Sequence, residues 1–129
     1  ELTAMNPEQV VDAFCKALNE EGLEASLRYI AEDCVYQNMP FPPVHGPQGV
    51  RDTLAGFFKI TGPVRIETLT QAAAGDYVFN ERIDHFAPPG GKAFGLPVAG
   101  AFRVRGEHIT EWRDYFCMRQ FAEGTGLAI

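Results

Sequence analysis

The 129-residue chain has only three cysteines, three histidines and one tryptophan. Cys15, Cys34 and Cys117 are too few and too scattered for a disulfide framework or a zinc knuckle. They read as buried thiols of a reducing compartment, Cys15 on a helix and the other two on strands, which predicts a cytoplasmic protein. His45, His85 and His108 lie far apart without ligand spacing, so no metal site is expected. No run of Lys or Arg supplies the counterion-releasing surface that nucleic-acid binding needs. No apolar stretch is long enough to span a bilayer, and no signal-peptide pattern opens the chain. Repeats, low-complexity segments and linkers are also missing, which predicts one domain over residues 1–129.

What is present is ordinary globular composition. Hydrophobic residues make up 46% and charged residues 22%, and acids and bases are interspersed within a formal net charge of −6. Asn6-Pro7-Glu8-Gln9 offers an N-cap, a proline at the first helical position and a Gln at the capping-box position. Val10, Phe14, Ala17 and Leu18 then recur at helical spacing up to Gly22. A shorter helix is expected over 23–30, a strand near 34–39, and a third helix opened by Gly46-Pro47 that carries Val50, Leu54, Phe57 and Phe58. From Val64 the period falls to 2, giving strands at about 64–71, 76–86, 92–105 and 108–121. Helices followed by antiparallel strands indicate an α+β domain.

Side-chain parity locates the unusual polar residues. On the last strand Trp112, Asp114, Phe116 and Met118 share one face, and the opposite set is mostly polar. Asp114 is therefore a buried acid, which needs a partner, a raised pKa or both. The strand before it turns Phe94, Leu96, Val98, Gly100, Phe102 and Val104 to one side. Earlier still, Val78, Asn80, Arg82, Asp84 and Phe86 share a face, but both faces of that strand are mixed. Parity leaves two readings there: Arg82 lies inside between Asp84 and Asp114, or Arg82–Asp84 is a surface pair contributing little. Tyr36 and Asn38 also share a face, and a hydroxyl with an amide can orient one water molecule.

Taken together, Tyr36-Gln37-Asn38-Met39-Pro40 with Pro42-Pro43, then Glu81-Arg82-Ile83-Asp84, then Thr110-Glu111-Trp112-Arg113-Asp114-Tyr115-Phe116 closely resemble the limonene-1,2-epoxide hydrolase family, over nearly the whole chain. The resemblance implies an NTF2-like α+β cone, a curved mixed sheet with about three N-terminal helices closing an apolar pocket. It implies Asp84 as general acid, Asp114 as general base, Arg82 as the bridge, and Tyr36 and Asn38 as the water-positioning pair. The expected pocket lining is Leu18, Phe57, Phe86, Leu96, Val98, Phe116 and Phe121, with Phe41 as a further bulky neighbour. The implied substrate is an apolar terpene, alicyclic or lipid-derived epoxide, opened by catalytic water to a vicinal diol without any cofactor. A homodimer is also implied, and Phe79, Ile83 and Tyr115 on the outer parity suit one. Two other readings share the fold: a ketosteroid-isomerase-like or dehydratase-like enzyme, and a non-catalytic apolar-ligand-binding domain. The first gives Arg82 no obvious role, and the second gives two buried acids none.

Overall fold

The computed structural model describes residues 4–128, so four residues of the domain expected over 1–129 lie outside the described range. Helix α1 runs Pro7–Glu20, and its capping box forms as the sequence dictates: Gln9 N donates to Asn6 Oδ1 and Asn6 N to Gln9 Oε1, each at 2.9 Å. Its apolar stripe, Val10, Val11, Phe14, Cys15, Ala17 and Leu18, is buried against the strands that run between residues 65 and 105. Helix α2 is shorter than expected. It spans Leu23–Ser26 and tightens into a 3-10 turn at Leu27–Tyr29. Strand β1 then occupies Ile30–Asn38, beginning four residues before the expected Cys34. A two-residue strand β2, Val44–His45, leads into α3, Gly46–Thr61, with Pro47 in its first turn.

Four longer strands follow: β3 Arg65–Ala74, β4 Tyr77–Phe86, β5 Phe94–Arg105 and β6 His108–Tyr115. They form one six-stranded sheet in the order β2-β1-β6-β5-β4-β3. All neighbours are antiparallel except β1 and β6, which run parallel, so the sheet is mixed. Register shifts in the β1–β6, β3–β4 and β5–β6 pairs add the bends that curve it.

Two expectations need correction. The last strand was expected to reach Phe121, but it stops at Tyr115, and Met118–Thr125 is a fourth helix, α4. Met118, Phe121, Ala122 and Thr125 recur at helical spacing, and Phe121 and Ala122 turn inward where a strand would have separated them. Cys117 is consequently the exposed N-cap of α4 and not a buried strand thiol, whereas Cys15 and Cys34 are buried. The mixed faces of β4 are also resolved. Val78, Asn80, Arg82, Asp84 and Phe86 are all buried, while Phe79 and Glu81 are exposed.

Candidate active site

The register of the sheet brings distant residues into two rows on its inner face. Val78, Phe102, Trp112 and Tyr36 lie side by side across β4, β5, β6 and β1. One step along, Gln71, Asn80, Gly100, Asp114 and Asn38 make a line across β3, β4, β5, β6 and β1. Arg82 starts from β4, and its guanidinium must cross β5 to reach Asp114. Two strand spacings amount to about 10 Å, so the crossing needs a long side chain above and open space below. Gly100 supplies that space. A Cβ there would collide with Arg82 Nη1 and stand 2.6 Å from Asn80 Oδ1.

The guanidinium is 1% exposed and holds both acids in bidentate pairs. Nε and Nη2 each donate to Asp84 at 3.2 Å, and Nη1 and Nη2 donate to Asp114 at 3.0 and 2.9 Å. The surface-pair reading of Arg82–Asp84 is thereby excluded. Burial opposes the charge on Arg82, but Asp114 and Asp84 more than offset this and raise its pKa well above the ordinary value. Burial pushes the Asp84 carboxyl above the ordinary carboxylate range. Arg82 resists this shift and the Asp114 charge adds to it. Asp114 is 5% exposed and gains a third donor, Trp112 Nε1 to Oδ1 at 2.7 Å. Three N–H groups thus converge on Asp114 and two on Asp84.

Trp112 is itself fixed by neighbours. Tyr36 stacks on one side at 4.0 Å and 19°, Phe102 packs near-parallel at 5.7 Å, and Phe14 meets it edge-on at 5.1 Å. Tyr36 is buried, and burial followed by the Asp114 charge raises its pKa well above the usual phenol value, so its hydroxyl keeps its proton. Asn38 Nδ2 donates to Tyr36 Oη at 2.9 Å. The five polar residues singled out from the sequence therefore line one cavity of ≈ 50 Å³.

Residues 5–125 match the family model of the limonene-1,2-epoxide hydrolase catalytic domain. The chain is also 31% identical, over 134 residues, to epoxide hydrolase EphG of Mycobacterium tuberculosis (strain ATCC 25618 / H37Rv), covering 96% of this chain and 87% of that protein. The chain belongs to the limonene-1,2-epoxide hydrolase family. Its fold is similar to that of a limonene-epoxide-hydrolase-like epoxide hydrolase of M. tuberculosis, with a TM-score of 0.79 and 26% identity over 95% of this chain and 90% of that one. It is equally similar to a protein of ketosteroid isomerase-like fold from Catenulispora acidiphila DSM 44928, solved in complex with trimethylamine. There the TM-score is 0.82 and the identity 25%, over 96% of each chain.

In this limonene-1,2-epoxide hydrolase family member the cavity is apolar apart from its floor. Leu18, Phe57, Phe86, Leu96, Val98, Phe116 and Phe121, all expected from the sequence, line it, together with Leu54, Phe58, Val64, Ile66 and Trp112. Leu54 and Phe58 lie on the apolar stripe of α3, and Ile66 pairs with Asp84 across β3 and β4, so helical spacing and register were the signals for them. Phe41 stands apart. It is 39% exposed and borders an adjoining groove with Pro42, Pro43 and Val44 that shares Tyr36, Asn38 and Phe57 with the cavity; its ring centre lies 5.9 Å from that of Phe57. Phe121 comes to the wall from α4, where it meets Phe57 edge-on at 5.6 Å and Phe116 at 5.9 Å.

Proposed function

We propose that the chain hydrolyses apolar epoxides to vicinal diols in one step, by general acid and base catalysis without a covalent ester. The single observation that carries this reading is one buried guanidinium holding two carboxyl groups at the floor of an apolar cavity. Epoxide opening needs a proton for the departing oxygen and a base for the attacking water, each typically worth about 10²–10⁴-fold. Asp84 supplies the first and Asp114 the second.

Hydrogen-bond counting supports the same assignment. Asn38 uses Nδ2 on Tyr36, which leaves its Oδ1 as an acceptor, and the Tyr36 hydroxyl retains a proton to donate. An ionised carboxylate accepts about four hydrogen bonds, and Asp114 takes three from Arg82 and Trp112. A water bonded to Asn38 Oδ1, the free site on Asp114 and the Tyr36 hydroxyl uses both its hydrogens and one lone pair. The second lone pair is left to attack carbon. As the C–O bond breaks, the Asp84 proton moves to the epoxide oxygen and the water proton moves to Asp114. The proton then returns to Asp84 by way of solvent.

No cofactor enters this scheme. The substrate class is terpene, alicyclic or lipid-derived, because Leu, Val and Phe side chains would surround everything but the oxirane. The whole chain would act as one catalytic unit, paired as a homodimer through the outer face of the sheet. Among the described residues no helix is long and apolar enough to cross a membrane.

Incubation of purified protein with a panel of apolar epoxides, followed by diol detection, tests the activity. Single turnover in ¹⁸O-water tests the mechanism: label is expected in the diol alone, and label in an aspartate would sink the one-step scheme. An unsaturated ketone is the control, since its isomerisation would favour a ketosteroid-isomerase-like enzyme. Binding without turnover of either compound would favour a carrier of apolar ligands.

A further inference from the structure

A guanidinium has five N–H donors in a fixed plane. In Arg82 four of them go to Asp84 and Asp114, and the fifth, on Nη1, donates to Asn80 Oδ1 at 3.2 Å. Asn80 is 6% exposed, lies on the same face of β4 as Arg82 and Asp84, and has no part in the water or proton steps above. Its amide could in principle face either way. Arg82 can only donate, so Oδ1 must face Arg82 and Nδ2 must point away. Nδ2 donates to Gln71 Oε1 at 3.1 Å, and Gln71 Nε2 donates to Asp12 Oδ1 on α1 at 3.0 Å. A carboxylate oxygen accepts and does not donate, so both amides are oriented from both ends. The result is a directional line of hydrogen bonds from a buried cation to an exposed anion.

We infer that Asn80 is a positioning residue for the reaction: it holds the guanidinium plane so that Arg82 presents both carboxyl groups to the cavity, and it does so as a neutral acceptor. Two features support the assignment. Gly100 keeps open the space in which the Asn80–Arg82 contact forms, so the backbone of β5 is shaped around this pair as well as around the crossing to Asp114. Neutrality matters because the cluster already holds two acids and one base. A carboxylate at this position would satisfy the same N–H but add an uncompensated negative charge. The other titratable groups around the cluster are Tyr36 on β1, His85 on β4, and Asp12 and Cys15 on α1. Burial pushes the Cys15 thiol up to about 12, so it stays neutral.

The inference rests on the proposed epoxide hydrolysis for its rate consequences and is independent of it for its electrostatic ones. Asn80→Ala should lower kcat about tenfold or more, the usual scale for losing a hydrogen bond to a charged group, with KM changed less than twofold. Asn80→Asp, nearly isosteric, keeps the fold if Asn80→Ala does not. ¹³C-carboxyl NMR titration of Asn80→Asp needs no turnover. Expected is one more proton held by the cluster at neutral pH, seen either as an introduced carboxyl that titrates far above the ordinary range or as higher midpoints for Asp84 and Asp114. An introduced carboxyl that titrates in the ordinary range, with those midpoints unmoved, would overturn the inference. So would Asn80→Ala with wild-type kcat and pH profile, even if its melting temperature fell. A wild-type protein inactive on every epoxide would count against the function proposal and leave the NMR result standing.

Discussion

At the scale of single residues, the site depends on a charge imbalance confined to a few side chains. Asp84 binds its proton more tightly in the folded protein than in the unfolded chain, because burial raises its native pKa. Its contribution to stability is therefore fully present below the unfolded carboxylate value of about 4 and is lost as pH rises through the elevated native value. Melting temperature should fall across that window, and Asp84→Asn should remove that part of the fall while abolishing turnover; thermal scans of both proteins from acid to neutral pH check this. Asp114→Asn should also abolish turnover with the fold intact. Trp112→Phe keeps the stack with Tyr36 and Phe102 but deletes the donor to Asp114 Oδ1. A hydrogen bond to a charged group is worth about 1.5–3 kcal/mol, so kcat should drop by about one to two orders of magnitude in steady-state assays. Parity alone secured Asp114, because alternation on a strand is rigid enough to put it among apolar neighbours; it left Arg82 and Asp84 between two readings, and Tyr36 and Asn38 gained their part from the family resemblance. Asn80 shared that legible face, yet its part depends on which N–H groups of Arg82 the acids leave free, and parity carries no such count.

At the scale of elements, β5 matters for the side chain it lacks and α4 for the one it inserts. Gly100→Ala should abolish the proposed hydrolysis and destabilise the protein by about 1–3 kcal/mol, the range for overpacking a filled interior; urea titration together with diol assay would show both. Helix α4 carries Phe121 to the cavity wall, where it and Phe57 close a space of ≈ 50 Å³. That is room for a few waters, at about 10–15 Å³ for each, so trimming this aromatic wall enlarges the space open to an epoxide. Phe57→Ala or Phe121→Ala should raise kcat/KM for bulky epoxides relative to small ones by about 10-fold or more, judged from what pocket methylenes contribute to discrimination. Helix α4 was the element the sequence concealed. Cys117 is a poor N-cap that makes no side-chain bond, and Phe116 and Met118 prolong the strand alternation by two residues. Gly126, with φ of 79° at the C-cap, was the countervailing sign.

At the scale of the whole molecule, the inner face of the sheet is fully assigned while the outer face is not. Along its middle, β5 presents Gly95, Pro97 and Ala99, flanked by exposed Phe79 and Tyr115 and by half-buried Ile83. In the proposed homodimer this strip is covered, so Phe79→Glu combined with Tyr115→Glu should convert dimer to monomer in analytical ultracentrifugation. The parallel pairing of β1 with β6 has the widest effect on layout, because it alone sets Tyr36 beside Trp112 and Asn38 beside Asp114. The guanidinium at the centre has a last consequence for what the cavity admits. Arg82 is the one cation among the lining residues described, and all five of its N–H groups are engaged. A fatty acid or other anion, which most arginine-containing pockets would welcome, meets here a saturated donor flanked by carboxyl oxygens. On the proposed function the pocket would select uncharged molecules, because its arginine has no N–H left to offer an anion and the two carboxyl groups beside it oppose negative charge.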